Sequence, residues 1–284
     1  MQEPSVNLGV CFSDTQLFYA LNSSDLPLTL RRIGKIDFNF NIGNALLEAD
    51  SEAISGLLDR VDRIVREFKV TNLKCLFPAN LECWSTLPKS VYDDPGERES
   101  YLKLLMHGQS RPTLEPFWFD LSNRDYRFLS VRSKTHTLGY KQLGDASSFS
   151  DLCSDFEIGL NWIDKTDRRD TFMLLGCYRD HLVISSFIMG KFRAATFIRF
   201  RYLEDLSFLW LQQAENLPWL RGVHDCVYYY GEKALEISEI LHNHLDSGSI
   251  KIKLDNLSDM YVKASEETYS FNLEEAFPAI ILAL

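Results

Sequence analysis

Two short stretches hold most of the residues whose types and spacing could do chemistry. Residues 8–21 read LGVCFSDTQLFYAL and residues 174–187 read LLGCYRDHLVISSF, each an apolar run, a polar turn and a second apolar run. The first turn region brings Cys11, Ser13 and Asp14 together, and the second brings Cys177, Arg179 and Asp180. An acid at the tip of each hairpin is placed to hold a metal ion. The reading preferred is that aspartate is here an ordinary turn residue, because its side chain bonds to nearby backbone. Cys11 and His181 are the one cysteine–histidine combination that two facing hairpins would bring near each other, which is the pairing nucleophilic catalysis uses.

The other candidates are poorer. His242 and His244 lack a partner cluster at ligand spacing, and no metal site is expected. Asp93–Asp94 and Glu274–Glu275 are adjacent, so on a strand each pair points apart. No GxxxxGK[ST] phosphate loop, GxGxxG turn or GxSxG elbow occurs.

The composition narrows the class. With 45% hydrophobic and 25% charged residues, the 284-residue chain is of ordinary globular make-up. Its 40 acids against 30 bases, a net charge of -10, argue against nucleic acid, whose binding feeds on phosphate neutralisation. Cys11, Cys75, Cys83, Cys153, Cys177 and Cys226 form no C-x-x-C pair, and most sit in apolar runs, which fits reduced thiols in the cytoplasm. MQEPSVN has no leader character, and no run reaches the roughly 20 apolar residues a membrane span needs. A cytoplasmic protein without membrane insertion is expected. AFPAIILAL, with Leu273, Phe277, Ile280, Ile281 and Leu284 at helical spacing, predicts a core helix.

The elements that must position the hairpins follow from periodicity. Strands are expected near 6–12 and 16–22 and through LTLRRIGKIDF, then a helix from about Ser51 as N-cap, then a strand in NLKCLFP. From about 83 to 143 proline and glycine punctuate a change of texture, with strands CWSTLP, PFWFDLS and YRFLSVRS and a helix ended by Gly108. This reads as a small inserted subdomain. DASSFSDLCSDF is expected to form a short helix, and KTDRRD a solvated connection. The second segment repeats three strands, a helix, the strand DCVYYYG, a helix and the strand SIKIKL. Alternating strands and helices predict an α/β fold. The repeated order predicts a duplication, with Cys11 matched to Cys177 and Asp14 to Asp180.

A duplicated three-strand-plus-helix unit of this size resembles the actin-like ATPase superfamily. The element order is most similar to the branch that holds the cell-division protein FtsA and the pilus protein PilM, where a subdomain interrupts the first half. The stretch HLVISSFIMGKFRAATFIRFRYLEDLSFLWLQQAENL also resembles an actin-fold family of Bacteroidetes-type bacteria. The resemblance implies a duplicated actin-like (ribonuclease H-like) two-lobed fold. Its first half would be 1–165, with the insert at about 83–143, and its second half 166–284.

The resemblance also says what the hairpins should contain. Active members carry Asp-x-Gly in each turn, for magnesium, the attacking water and the phosphates. Here the matching positions hold Cys11 and Ser13, then Cys177 and Arg179, or Gly176 and Tyr178 if the alignment slips by one. The adenosine loop, glycine-rich in active members, is YYYGEKAL, which keeps Gly231 but puts Glu232 and Lys233 where glycine belongs. In that loop Glu232 is read as capping the following helix. With all three loops degenerate, the expected function is a non-catalytic pseudo-ATPase scaffold or adaptor, without catalytic residues or cofactor, acting on a protein partner. The alternative is an actin-fold ATPase or kinase whose metal is held by the displaced Asp14 and Asp180. An open polar cleft flanked by both aspartates would favour the enzyme. A cleft filled by Tyr178, Arg179 or Tyr230 would favour the scaffold. For the partner surface, Trp84, Phe117, Trp118 and Phe119 are expected to present an exposed aromatic edge of the insert, against the reading in which they pack on the main body. A homodimeric or filament-like contact through the insert is compatible with the sequence and not required by it.

Overall fold

The first two strands are β1 (Val6–Ser13), which alternates Val6, Leu8, Val10 and Phe12, and β2 (Gln16–Ser23), which alternates Leu17, Tyr19 and Leu21, joined by the turn Asp14–Thr15. The computed structural model describes residues 5–23, 29–106, 114–120, 125–134, 139–140, 151–166, 168–258, 260, 262–264, 268 and 271–284. β3 (Thr29–Asp37) completes an antiparallel meander, and β4 (Asn72–Phe77) and β8 (Asp151–Ser154) add parallel strands on the other side of β1. With β14 (Lys263–Ala264) the first sheet runs β14-β3-β2-β1-β4-β8.

The second sheet repeats this plan. β9 (Phe172–Cys177), β10 (His181–Ile188) and β11 (Lys191–Arg199) form the meander, and β12 (Cys226–Tyr230) and β13 (Ile250–Lys253) run parallel beside β9, giving β11-β10-β9-β12-β13. Between β4 and β8 stands a separate three-stranded sheet, β5 (Glu82–Pro88), β7 (Tyr126–Ser133) and β6 (Leu114–Asp120), in the order β5-β7-β6.

Helices cover both faces. α1 (Ile42–Glu48) and α2 (Ser51–Phe68) bury Ile42, Leu46, Ile54, Leu57, Val61 and Ile64 with Val6, Leu8 and Val10 of β1. Asp50, not Ser51, caps α2: its carboxylate accepts from the backbone N–H of Glu52 and Ala53 at 3.1 and 3.2 Å. α1 was not legible in the sequence, because its seven residues include Gly43 and Asn44 and show little periodicity. α3 (Lys89–Asp93) and α4 (Pro95–Leu105) lie on the inserted sheet. α6 (Leu206–Asn216) and α7 (Ala234–Leu241) pack on the outer face of the second sheet, against Met173, Leu175, Cys177 and Tyr229.

One stretch departs from expectation. Residues 151–154 of DASSFSDLCSDF form the strand β8 rather than a helix, and residues 144–150 lie outside the described residues, as does Gly108. Asp151–Ser154, too short to show a pattern of their own, become a strand because β4 supplies a parallel edge: Leu76 pairs with Cys153 and Phe77 with Ser154. α5 (Glu157–Thr166) follows, and Trp162 packs edge-on against Phe172 and Tyr228 of the second sheet. In KTDRRD, Arg168 is not simply solvated; its guanidinium lies over the Trp162 and Tyr228 rings at 5.3 and 4.6 Å.

The last helix, α8 (Leu273–Ala283), returns to the first sheet while also touching the second. Every residue from Ala276 to Ala283 is buried, so the apolar spacing expected on one face extends all round. Its backbone lies on β1 at Gly9, where an added Cβ would run into the Ala279 carbonyl and the Ala283 amide. The Asn22 amide closes the contact by donating to the Ala283 carbonyl at 3.3 Å. Gly9→Val is therefore expected to destabilise the protein by about 3 kcal/mol, the upper end of overpacking costs. A urea midpoint within error of the wild type would show that α8 does not seat on β1 as described.

Candidate functional site

Both hairpin tips point into the cleft between the two sheets, and each is held by its own local structure. Asp14 takes a positive φ of 47°, which the short Asx side chain tolerates. Its carbonyl accepts from the Ile42 amide at 2.7 Å, and its carboxylate accepts from the Asn41 side chain. Asn41 in turn caps α1 through the Asn44 amide at 2.8 Å, so the start of α1 fixes the first tip. At the second tip the Tyr178 amide donates to the His181 carbonyl at 3.0 Å. His181 stacks on the Tyr178 ring at 4.6 Å, and its Nδ1 meets Asp180 Oδ1 at 2.7 Å.

The pairings decide how the two hairpins correspond. Ser13 opposes Gln16 across a two-residue turn, and Tyr178 opposes His181 across another. Ser13 therefore matches Tyr178, and Asp14 matches Arg179. The equivalence of Cys11 with Cys177 and Asp14 with Asp180 is off by one residue, and the slipped alignment, with Gly176 and Tyr178 at the Cys11 and Ser13 positions, fits the pairing. The cause is the pleat: Cys11 faces α8 and Cys177 faces α6 and α7, on opposite sides of their strands.

Across the cleft, side chains of the two lobes meet. Arg179 forms an ion pair with Asp14, and Ser13 Oγ donates to Glu232. Tyr178 and Tyr230 both donate their hydroxyls to Asp155 Oδ1, at 2.9 and 3.3 Å. A cavity of about 430 Å³ remains, lined among others by Asp14, Asp155, Arg179, Asp180, His181 and Glu232. The geometry thus holds both features set against each other above: a polar cavity flanked by Asp14 and Asp180, and Arg179, Tyr178 and Tyr230 directed into the space between the lobes.

Gly231 sits at φ 100°, and a Cβ there would collide with the Cys177 carbonyl, so this glycine serves the strand-to-helix turn. Glu232 does not cap α7; it reaches across to Ser13 instead. Lys233 turns onto its own helix, with Nζ 2.7 Å from Glu236. Burial pushes the Cys11 thiol up to about 12 and the Cys177 thiol well above its ordinary value. That is opposite to the activation a cysteine nucleophile needs, and His181 is already engaged by Asp180.

Sequence reading missed Asp155, the residue on which the cleft closes. Its only trace was an acid between a short polar strand and a helix, in CSDFE. It is 2% exposed, and burial raises its carboxyl to about 6 against the lowering effects of His181 and the Tyr178 hydrogen bond. A second buried polar cluster adjoins it. Glu82 accepts from Ser130, Ser154 and Arg132, and Arg132 Nη1 donates to the Leu152 carbonyl at 3.0 Å. Glu157 accepts from the Ser154 amide at 2.6 Å. Burial raises the Glu157 carboxyl to about 8.

The aromatic residues of the insert are turned inward. Trp84 stacks on Phe128 at 5.7 Å and tilts onto Phe156 at 5.0 Å. Phe117 lies under the Arg132 guanidinium at 4.4 Å, and Trp118 meets Tyr92 at 5.2 Å. Among the described residues these three aromatic side chains are half-buried rather than exposed: helices lie on one face of the inserted sheet, and Arg132 and the main body on the other. The side chain of Phe119 lies outside the described residues.

This arrangement of two like sheets about a cleft is the actin-like ATPase fold. No family model and no curated protein matches the chain. Among solved structures it is similar to a Bacteroides thetaiotaomicron protein with actin-like ATPase fold and unknown function, at TM-score 0.55 and 14% identity over 89% of this chain and 93% of that one. It is also similar to a structure of the PilM–PilN type IV pilus biogenesis complex, at TM-score 0.68 and 9% identity over 98% and 97%. Likeness at these identities establishes the fold.

The buried carboxyls set a pH dependence. Asp155 and Glu157 hold protons to higher pH folded than unfolded, so stability falls as pH rises from about 4 through about 6 for the first and about 8 for the second. The melting temperature is expected to drop between pH 6 and 8, and Glu157→Gln to flatten that drop. An unchanged slope in the variant would refute this account of Glu157.

Proposed function

We propose that this protein is a non-catalytic actin-fold scaffold, a pseudo-ATPase that works through contact with a protein partner. The observation that carries this reading is the Arg179–Asp14 ion pair across the cleft. A carboxylate in an active member's tip would handle magnesium; here the second tip supplies a guanidinium, and it neutralises the aspartate of the first. Ser13 and Glu232 are spent on each other, and Tyr178 and Lys233 fill the remaining loop positions with side chains in place of the glycine whose backbone a nucleotide approaches. The partner reading draws support from the PilM structure, which is that of a complex with PilN. The organisation that goes with it is a first half of 1–165 carrying the insert at about 83–143 and a second half of 166–284, in a protein of the cytoplasm. Among the described residues no helix is long and apolar enough to cross a membrane.

One observation favours a second reading, an ATPase or kinase with relocated acids: Asp14 and Asp180 line the same 430 Å³ cavity. Thermal unfolding with and without millimolar Mg-ATP separates the two. A ligand at about 100 times its dissociation constant adds roughly 2.7 kcal/mol, several degrees for a chain of this size. The scaffold reading expects no shift. A rise that disappears in Asp14→Ala or Asp180→Ala would overturn it and assign those carboxylates to a metal.

A further inference from the structure

Two helices of the second lobe leave apolar side chains uncovered. α6 and α7 lie side by side on the outer face of the second sheet and bury Leu206, Trp210, Ala214, Ile237 and Leu241 against it. A helix packed on one face ordinarily turns polar residues to water. Here Phe208 and Leu211, one turn apart on α6, are 68 and 44% exposed, and Leu235 at the start of α7 is 60% exposed. A single exposed leucine is common on a protein surface. An open phenylalanine in line with a leucine on its own helix, with a further leucine on the adjacent helix, is the kind of apolar surface found at interaction sites.

The charge around these side chains has one sign. Glu204 and Asp205 lead into α6, Glu215 stands one turn beyond Leu211, and Glu239 one turn beyond Leu235. All four are exposed, and none is in an ion pair among the described residues. Neither helix contains a lysine or an arginine. Of the flanking cations, Lys233 is held by Glu236, Arg201 lines the cleft cavity, and Arg221 stands past the end of α6 in Pro218–Arg221.

That charge decides between occupants. A second copy presenting the same surface would set acid against acid, as a two-fold contact requires. A phosphate-bearing surface, lipid or nucleic acid, would be repelled. An added strand finds no edge to pair with, since the surface is helical. A helix with an apolar stripe flanked by lysines or arginines answers both features. Its apolar side chains would pack along Phe208, Leu211 and Leu235, and its cations would face the four carboxylates. We infer that the outer face of α6 and α7 is the docking surface for a basic amphipathic helix of a protein partner. The existence of a partner rests on the scaffold reading; the face and the partner's chemistry come from these two helices.

The test is fluorescence anisotropy of the full chain with a labelled leucine–lysine peptide of about 18 residues, long enough to hold a helix, with its leucines on one face. Two control peptides accompany it: the same composition scrambled so that no apolar face forms, and the same pattern with glutamate for lysine. At about 0.15 M salt, where long-range attraction is screened, the basic amphipathic peptide is expected to bind and both controls to bind at least about tenfold more weakly. Phe208→Gln and Leu235→Gln, both at exposed positions, are each expected to weaken binding about tenfold. Glu215→Lys is expected to weaken it about threefold, and Asp59→Lys, the same charge change on α2 of the first lobe, to leave it unchanged. No binding, equal binding of the scrambled peptide, or an affinity that Phe208→Gln and Leu235→Gln leave intact overturns the inference. So does a dimer, seen by sedimentation, that Phe208→Gln dissociates, since a second copy then covers the face. None of these results touches the scaffold reading, which the Mg-ATP experiment tests separately. A nucleotide response lost in Asp14→Ala overturns that reading and leaves the docking face to stand or fall on the peptide.

Discussion

The structure depends on the burial of α8 between two sheets. A helix that is apolar all round has no solvent face and must be enclosed, and the duplicated fold supplies one sheet on each side. The close approach is set at Gly9, where the absence of a Cβ lets the α8 backbone lie on β1. Once α8 is seated, Leu273, Phe277 and Ile280 share a core with Phe18 and Ala20 of the first sheet and with Leu174 and Tyr230 of the second. The Glu274 carbonyl accepts from the Gly231 amide at 2.8 Å, so the same helix also fixes the turn into α7. The last residues of the chain thus hold the two lobes in one relation and give the cleft its width.

A second joint lies at residues 154–157, where three parts of the molecule meet. Ser154 bonds to Glu82 of the inserted sheet, Asp155 to tyrosines of the second sheet, and Glu157 back to the Ser154 amide. Burying carboxylates at such a junction costs stability unless each is hydrogen-bonded, and Glu82 meets that condition with Ser130, Ser154 and Arg132. Removing one partner would leave the others buried and unmatched, so the insert is tied to the main body by a network rather than by apolar contact alone.

The hairpins show how a duplication diverges. Both retain the antiparallel meander and the parallel neighbour, because pairing and alternation preserve those at little sequence cost. The tips have gone separate ways: an aspartate in the left-handed region on one side, an arginine on the other, joined across the cleft. Complementary charges at equivalent positions give a lobe-to-lobe contact that identical tips could not.

The sequence by itself determined the strands of both meanders, the amphipathic α2, the apolar terminal helix and the repeated order that points to the fold, because these rest on periodicity within ten or twenty residues. It also marked both tips and the YYYGEKAL turn as the residues to watch. Tertiary structure alone decided the rest. β8 exists because β4 offers it an edge, α1 because Asn41 caps it against Asp14, and the aromatic residues of the insert face inward because both sides of their sheet are covered. The sequence left two alignments of the hairpins, and the pairing chose the one slipped by a residue, since four residues do not show which face of a pleat is buried. Asp155 was invisible for the same reason: its hydroxyl partners lie 23 and 75 residues away, and no local pattern records a contact made only when the lobes come together.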